Sequence, residues 1–247
     1  MSTSKPYISK NLITLLLSCG IFFPLFYIGM NIFVPMFYPG YNISSQTVSE
    51  LSAFDAPTRN LWNILSIPYI ILVTAFGCGI WLVSEGRRSL RVVAALMIIS
   101  GLISIFWQPM HQREVLAASG GTIADTMHLV WSGITVLLMF LMIGYGAASF
   151  DKKFRIFSII TLAVFVVFGF LTSMEAPNVE ANLPTPLMGI WERINIAMYM
   201  IWTIVLASIL LREQHQKDKH FKKGTTKIGA SERELKQGLY HIRGGHA

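Results

Sequence analysis

The sequence predicts an all-α protein, a six-helix transmembrane bundle with its N- and C-termini cytoplasmic. Three observations carry that prediction. The chain is 53% hydrophobic and only 13% charged, where soluble domains carry about 25% charged residues. Six stretches reach the length of about 20 mostly apolar residues that a bilayer crossing needs. The lysines and arginines gather in alternate links, as the positive-inside rule requires.

The spans fall at approximately 11–36, 61–83, 90–107, 127–148, 154–174 and 190–211. Pro24 and Pro68 lie inside the first two, where neighbouring helices can satisfy the freed carbonyls. The first span follows Lys5 and Lys10 and ends without a small-residue cleavage signal. It reads as a retained signal anchor. With the N-terminus inside, seventeen of the twenty Lys and Arg fall on the cytoplasmic side. Arg59, Arg113 and Arg193 are the exceptions. The expected location is therefore a plasma or inner membrane. Residues 1–211 form the membrane domain, and 212–247 form a basic cytoplasmic tail, partly disordered or one short helix.

The tail holds nine Lys/Arg against four Asp/Glu, a net +5 of the chain's +7. That bias suits an anionic lipid surface, so the basic character gives no reason to invoke nucleic acid. Ser231-Glu232-Arg233-Glu234 fits a capping box for a short tail helix. Cys19 and Cys78 both sit in apolar runs, which argues against a disulfide framework.

The two inner links are short, whereas the three outer links, near 37–60, 108–126 and 175–189, are long. Long links carry function more often than tight turns. In the first, Ser49 and Glu50 are placed to cap a short re-entrant or interfacial helix. Asp125 and His128, three residues apart, share a face at the mouth of the fourth span. Ser132 and Thr135 continue that stripe about 15 Å downward. Glu192, Asn195, Tyr199 and Thr203 form a counterpart on the sixth span, and Ser100, Ser104, Gln108 and His111 on the third. Ser, Thr and Asn commonly act as hydrogen-bond glue between membrane helices. Intramembrane charge more often marks a site.

The pocket candidates are thus Glu50, His111, Arg113, Asp125, His128, Glu192, Arg193, Asn195 and Tyr199. Three chemistries compete for them. An outward-opening polar pocket would bind a lipid or small amphiphile. A metal-dependent membrane hydrolase would hold zinc with Asp125, His128 and His111, using Glu50 or Glu192 as base. Its one short spacing is Asp-x-x-His, with no His-x-x-x-His. A structural or accessory subunit would instead pair Asp125 or Glu192 with Arg113 or Arg193 to lock the links. Haem is disfavoured, because His128 is the one histidine well inside a span. The sequence identifies no protein partner, and no inverted repeat suggests a secondary transporter.

Three stretches together carry a resemblance: Ser49-Glu50-Leu51-Ser52-Ala53 with Pro57 and Asn60; Pro109-Met110-His111-Gln112-Arg113 with Asp125-Thr126-Met127-His128; and Pro184-Thr185-Pro186 with Gly189 and Glu192-Arg193-Ile194-Asn195. They resemble the family called domain of unknown function 998, small multi-spanning membrane proteins. The resemblance covers about residues 11–212. It implies a membrane bundle and no particular activity.

Overall fold

The computed structural model describes residues 9–243, with side chains through residue 219. Eight α-helices follow one another: α1 (Lys10–Phe33), α2 (Arg59–Val83), α3 (Arg88–Ile103), α4 (Arg113–Ser119), α5 (Ile123–Ala147), α6 (Lys152–Met174), α7 (Ala176–Glu180) and α8 (Met188–Arg243). Short 3-10 turns occupy Val34–Phe37, Val48–Ser52 and Ser104–Phe106. No strand occurs among the described residues. Among the described residues, six helical segments are long and apolar enough to cross a membrane, as the sequence predicts. One compact unit ends at Ser208 and a second begins at Ile209; the first contains everything discussed below. The capping box expected at Ser231 and Glu234 lies outside the described side chains.

The core of the bundle is apolar and aromatic. α2 packs most extensively against α3 and α1, α3 also against α5, and α5 against α6. At Gly79 of α2, an added Cβ would sit 3.0 Å from the backbone of Leu16 and Leu17. Such close backbone approach is how membrane helices gain packing without a hydrophobic drive between them. Trp202 lies fully buried, donates its indole N–H to Ser158 Oγ at 3.0 Å, and stacks on Tyr199. Tyr199 donates its hydroxyl toward the sulfurs of Met97 and Met142. Phe22, Ile67, Ile71, Leu102, Val166 and Phe170 face outward and exposed. Large apolar side chains scattered over the outside of a bundle are the surface a lipid solvent requires.

The end that carries the long links has a cap of its own. Ala53 and Ala56 from the first link, Met110 and Leu116 from the second, and Val179 and Met188 from the third make one buried apolar cluster. Met30, Val34, Val48, Leu51 and Trp62 make another, which ties the first link to α1 and α2. The second and third links are partly helical, with α4 and α7 packed on each other. A sequence reading in spans and loops leaves both helices out, because each is too short to show a period.

The candidate site on the capped end

The cap is wired by charges, starting with Glu50. Thr47, not Ser49 or Glu50 as expected, is the N-cap of the 3-10 turn Val48–Ser52, with Glu50 as its reciprocal partner in a capping box. Glu50 Oε1 accepts from the Thr47 backbone N–H at 2.8 Å and from its hydroxyl at 3.1 Å. Gln46 donates to Oε2. Arg113, at the start of α4, completes the set with two parallel bonds, Nε to Oε2 at 2.9 Å and Nη2 to Oε1 at 2.8 Å. Such a fork is the strongest form of this ion pair. Glu50 is 3% exposed and Arg113 9%. Arg113 also donates to Thr185 Oγ1 at 2.7 Å and to the Ser45 carbonyl at 2.9 Å. Thr185 donates in turn to the same carbonyl. One guanidinium therefore joins all three links.

Arg193 makes a second clamp. Its Nη1 donates to the carbonyls of Ile43, Gln46 and Gly189, and its Nη2 to the Tyr41 hydroxyl at 2.6 Å. Tyr41 passes its own proton to the Thr47 carbonyl. Burial pushes the Tyr41 phenol well up, so it remains a donor. Gly189 sits where a Cβ would collide with the Ile43 and Gln46 carbonyl oxygens. The neighbouring Glu192 accepts the backbone N–H of Val48. It caps the first turn of another element, where a carboxylate is favoured by the exposed amides.

Asp125 belongs to a third group. Thr122 caps α5, and Asp125 is the reciprocal partner in that capping box. Its Oδ2 accepts from the Thr122 N–H at 2.9 Å and hydroxyl at 2.8 Å. Its Oδ1 accepts the His111 backbone N–H at 2.7 Å. His111 Nδ1 lies 3.0 and 3.1 Å from the two oxygens, so that nitrogen carries the proton. The His111 ring packs at a tilt against Phe54, over which Arg59 also lies. His128 is buried against Trp107, with Nδ1 2.7 Å from the Gln108 carbonyl. A carbonyl only accepts, so Nδ1 of His128 is the protonated nitrogen.

Several expected partnerships are replaced by others. Neither Asp125 nor Glu192 pairs with Arg113 or Arg193. Arg113 takes Glu50, Asp125 takes His111, Glu192 takes an amide, and Arg193 takes carbonyls and a phenol. The trio of Asp125, His128 and His111 does not assemble as metal ligands. Both Asp125 oxygens are filled by donors, and the Nδ1 atoms of both histidines are turned to protein oxygens. Among the described residues no group of three or more His, Cys, Asp or Glu is placed to share a metal, which leaves the hydrolase reading without a ligand set.

The stripes mostly close on themselves. Ser104, Thr135 and Thr203 each donate to the carbonyl one turn back. Asn195, with its amide oriented to satisfy both ends, donates to the Val164 carbonyl and accepts the Gly169 N–H on α6. Tyr199, 2% exposed, lies in the core.

A cleft of about 270 Å³ opens on the cap above the Glu50–Arg113 pair. Tyr38, Pro39, Gly40, Gln46, Gln112 and Glu114 line it together with that pair. The floor is fully bonded. The side chains of Gln112 and Glu114 and the hydroxyl of Tyr38 make no hydrogen bond or ion pair within the described residues. Burial, then the nearby carboxylates of Glu50 and Glu114, raises the Tyr38 phenol above its ordinary value. Sequence reasoning missed Tyr38, Thr47, Glu114, Thr122 and Thr185. Two had a visible signal, since Thr47-Val48-Ser49-Glu50 and Thr122-Ile123-Ala124-Asp125 are both capping-box patterns.

Six apolar helices around an aromatic core, closed at one end by a polar cap, define a multi-pass helical membrane protein. A family model described as protein of unknown function (DUF998) matches residues 21–209, which include every cap residue discussed here. The chain belongs to that family, as the resemblance of its three long links implies. Comparisons with curated proteins and with solved structures return no match.

Proposed function

We propose that this protein binds the polar part of a lipid or small amphiphile in the cleft on its capped end. The observation that carries the proposal is the contrast within the cleft. Its floor is a saturated, buried ion pair, while three polar groups on its sides have no protein partner. A rigid floor lowers the ordering cost of binding, and unsatisfied groups at a cavity give a ligand its orientation. In this reading the capped end is extracytoplasmic in a plasma or inner membrane, an orientation that the distribution of Lys and Arg supports.

The test is analysis of lipids retained by the purified protein, set against the lipids of the source membrane. A Gln112→Trp variant fills the cleft from a half-buried position whose side chain bonds to nothing. The expected result is a lipid or amphiphile class enriched with the wild-type chain and lost with Gln112→Trp at unchanged thermal stability. Equal composition in protein and membrane overturns the proposal.

A second reading is favoured by one observation. Glu50, Arg113, Asp125, Glu192 and Arg193 all bond to the protein itself, as expected of a structural or accessory subunit whose charges lock its links. That reading requires a partner that survives mild solubilisation and is lost on deleting residues 217–247.

A further inference from the structure

We infer that the cleft selects a primary ammonium group, the –NH₃⁺ of a lipid headgroup or of a free small amine. The inference rests on the amphiphile-binding reading and names the chemistry of its ligand. Glu50 and Arg113 cancel each other at 2.8 Å in the floor, so they contribute almost no net charge to the cavity. Glu114 remains, with a carboxylate that has no cationic partner within the described residues. The cleft therefore carries one uncompensated negative charge.

The hydrogen-bonding inventory points the same way. Glu114 carboxylate, Gln112 amide oxygen and Tyr38 hydroxyl oxygen are three acceptors around one cavity. An ammonium has three donors and no acceptor, so it can be held by such acceptors alone, while the Gln112 amide N–H₂ and the Tyr38 hydroxyl proton turn aside. A quaternary ammonium has no N–H to give, and a hydroxyl headgroup brings no charge. A phosphate or carboxylate would meet Glu114 repulsively, and the Arg113 fork that could attract it is already closed on Glu50. The cleft volume of about 270 Å³ is sufficient for an aminoethyl group.

The experiment uses the full chain in nanodiscs of anionic lipid without amines. Binding of four probes is measured by calorimetry: dihexanoyl phosphatidylethanolamine, its choline and glycerol counterparts, and free ethanolamine. The expected order is ethanolamine lipid over choline lipid by about tenfold, the difference that 1.4 kcal/mol makes, with the glycerol lipid weaker still. Glu114 is an exposed residue that lines the cleft, so Glu114→Gln folds, and it should remove that preference while the lipids still bind. Free ethanolamine binding as well as the lipid identifies a soluble amine as the ligand; binding of the lipid alone identifies a headgroup. Equal affinity for all three lipids, blocked by Gln112→Trp, overturns the ammonium inference and leaves amphiphile binding standing. No binding of any probe, together with no retained lipid, overturns both.

Discussion

Arg113→Met tests whether the cap is held by one buried charge pair. Methionine keeps the aliphatic bulk of arginine and removes its fork. Glu50 would keep three donors, the Thr47 amide and hydroxyl and the Gln46 amide. It would lose its counter-charge while only 3% exposed. Removing one partner of a buried pair costs about 3–5 kcal/mol, or a fall in Tm of at least about 6 °C for a chain of this size. Glu50→Gln alone turns an amide N–H₂ toward the Arg113 donors and loses a similar amount. The double variant Glu50→Gln/Arg113→Met is neutral, and glutamine is an accepted partner in a capping box. It should recover most of the loss, giving a coupling of about 2 kcal/mol or more in a double-mutant cycle. Tryptophan fluorescence during unfolding in nanodiscs measures each variant. Hydrogen exchange should speed up together in residues 38–52, 113–119 and 181–187 for the single variants. A coupling below about 0.5 kcal/mol, the size seen for exposed pairs, would refute the reasoning. So would a coupling that vanishes at high salt, since burial protects a pair from screening.

Three further outcomes follow from the same geometry. Asp125→Ala removes the reciprocal cap of α5 and the anchor of His111, and should lower stability by about 1–2 kcal/mol; Thr122→Ala should be non-additive with it, and additive losses would separate the two roles. Gly189→Ala presses a methyl onto the Ile43 and Gln46 carbonyls that Arg193 gathers. It should cost about 1–3 kcal/mol and open residues 39–47 to proteolysis, whereas wild-type resistance would show the first link to be pliable there. For orientation, a cysteine at the exposed Ser119 should react with an impermeant maleimide in intact cells, and one at the exposed Lys152 only after permeabilisation. The reverse pattern would invert the bundle and place the cleft inside.

The spans were legible because crossing a membrane is a property of local composition. Each of the six shows its apolar length without reference to any other residue. The cap was legible only as a list of suspects. Glu50 and Arg113 are 63 positions apart, and nothing local to either says that the first and second links meet. The apolar cluster of Ala53, Met110, Leu116 and Val179 brings them together, and its members are spread over three links with no period to read. Asp125 was conspicuous as an acid at a helix mouth. Its partner His111 depends on how the second link folds back after α3. Glu192 was expected in a pocket or beside an arginine, yet it serves a turn of the first link 144 positions earlier. The polar stripes were ambiguous in the sequence because Ser and Thr on a helix have an unseen partner, the carbonyl one turn back.

That distinction bears on where function lies in the cap. Buried charge is conspicuous in a membrane sequence because it is expensive, and the expectation of a site follows from the expense. Here the expense is met inside the protein: Glu50, Asp125, Glu192 and both arginines have protein partners, and together they hold three links in one shape. A group whose bonding is complete contributes position, and has little left to offer a ligand. Glu114 and Gln112 are ordinary by comparison, polar residues beside a conspicuous arginine. They differ from the Glu50–Arg113 pair in having groups still to satisfy at a cavity that this saturated pair lines. Arg113 therefore acts by holding α4 in place, and Glu114, the next residue, presents the charge. The two substitutions separate on that account. Arg113→Met should weaken the fold and every ligand together, whereas Glu114→Gln should leave the fold alone and change which ligand is preferred.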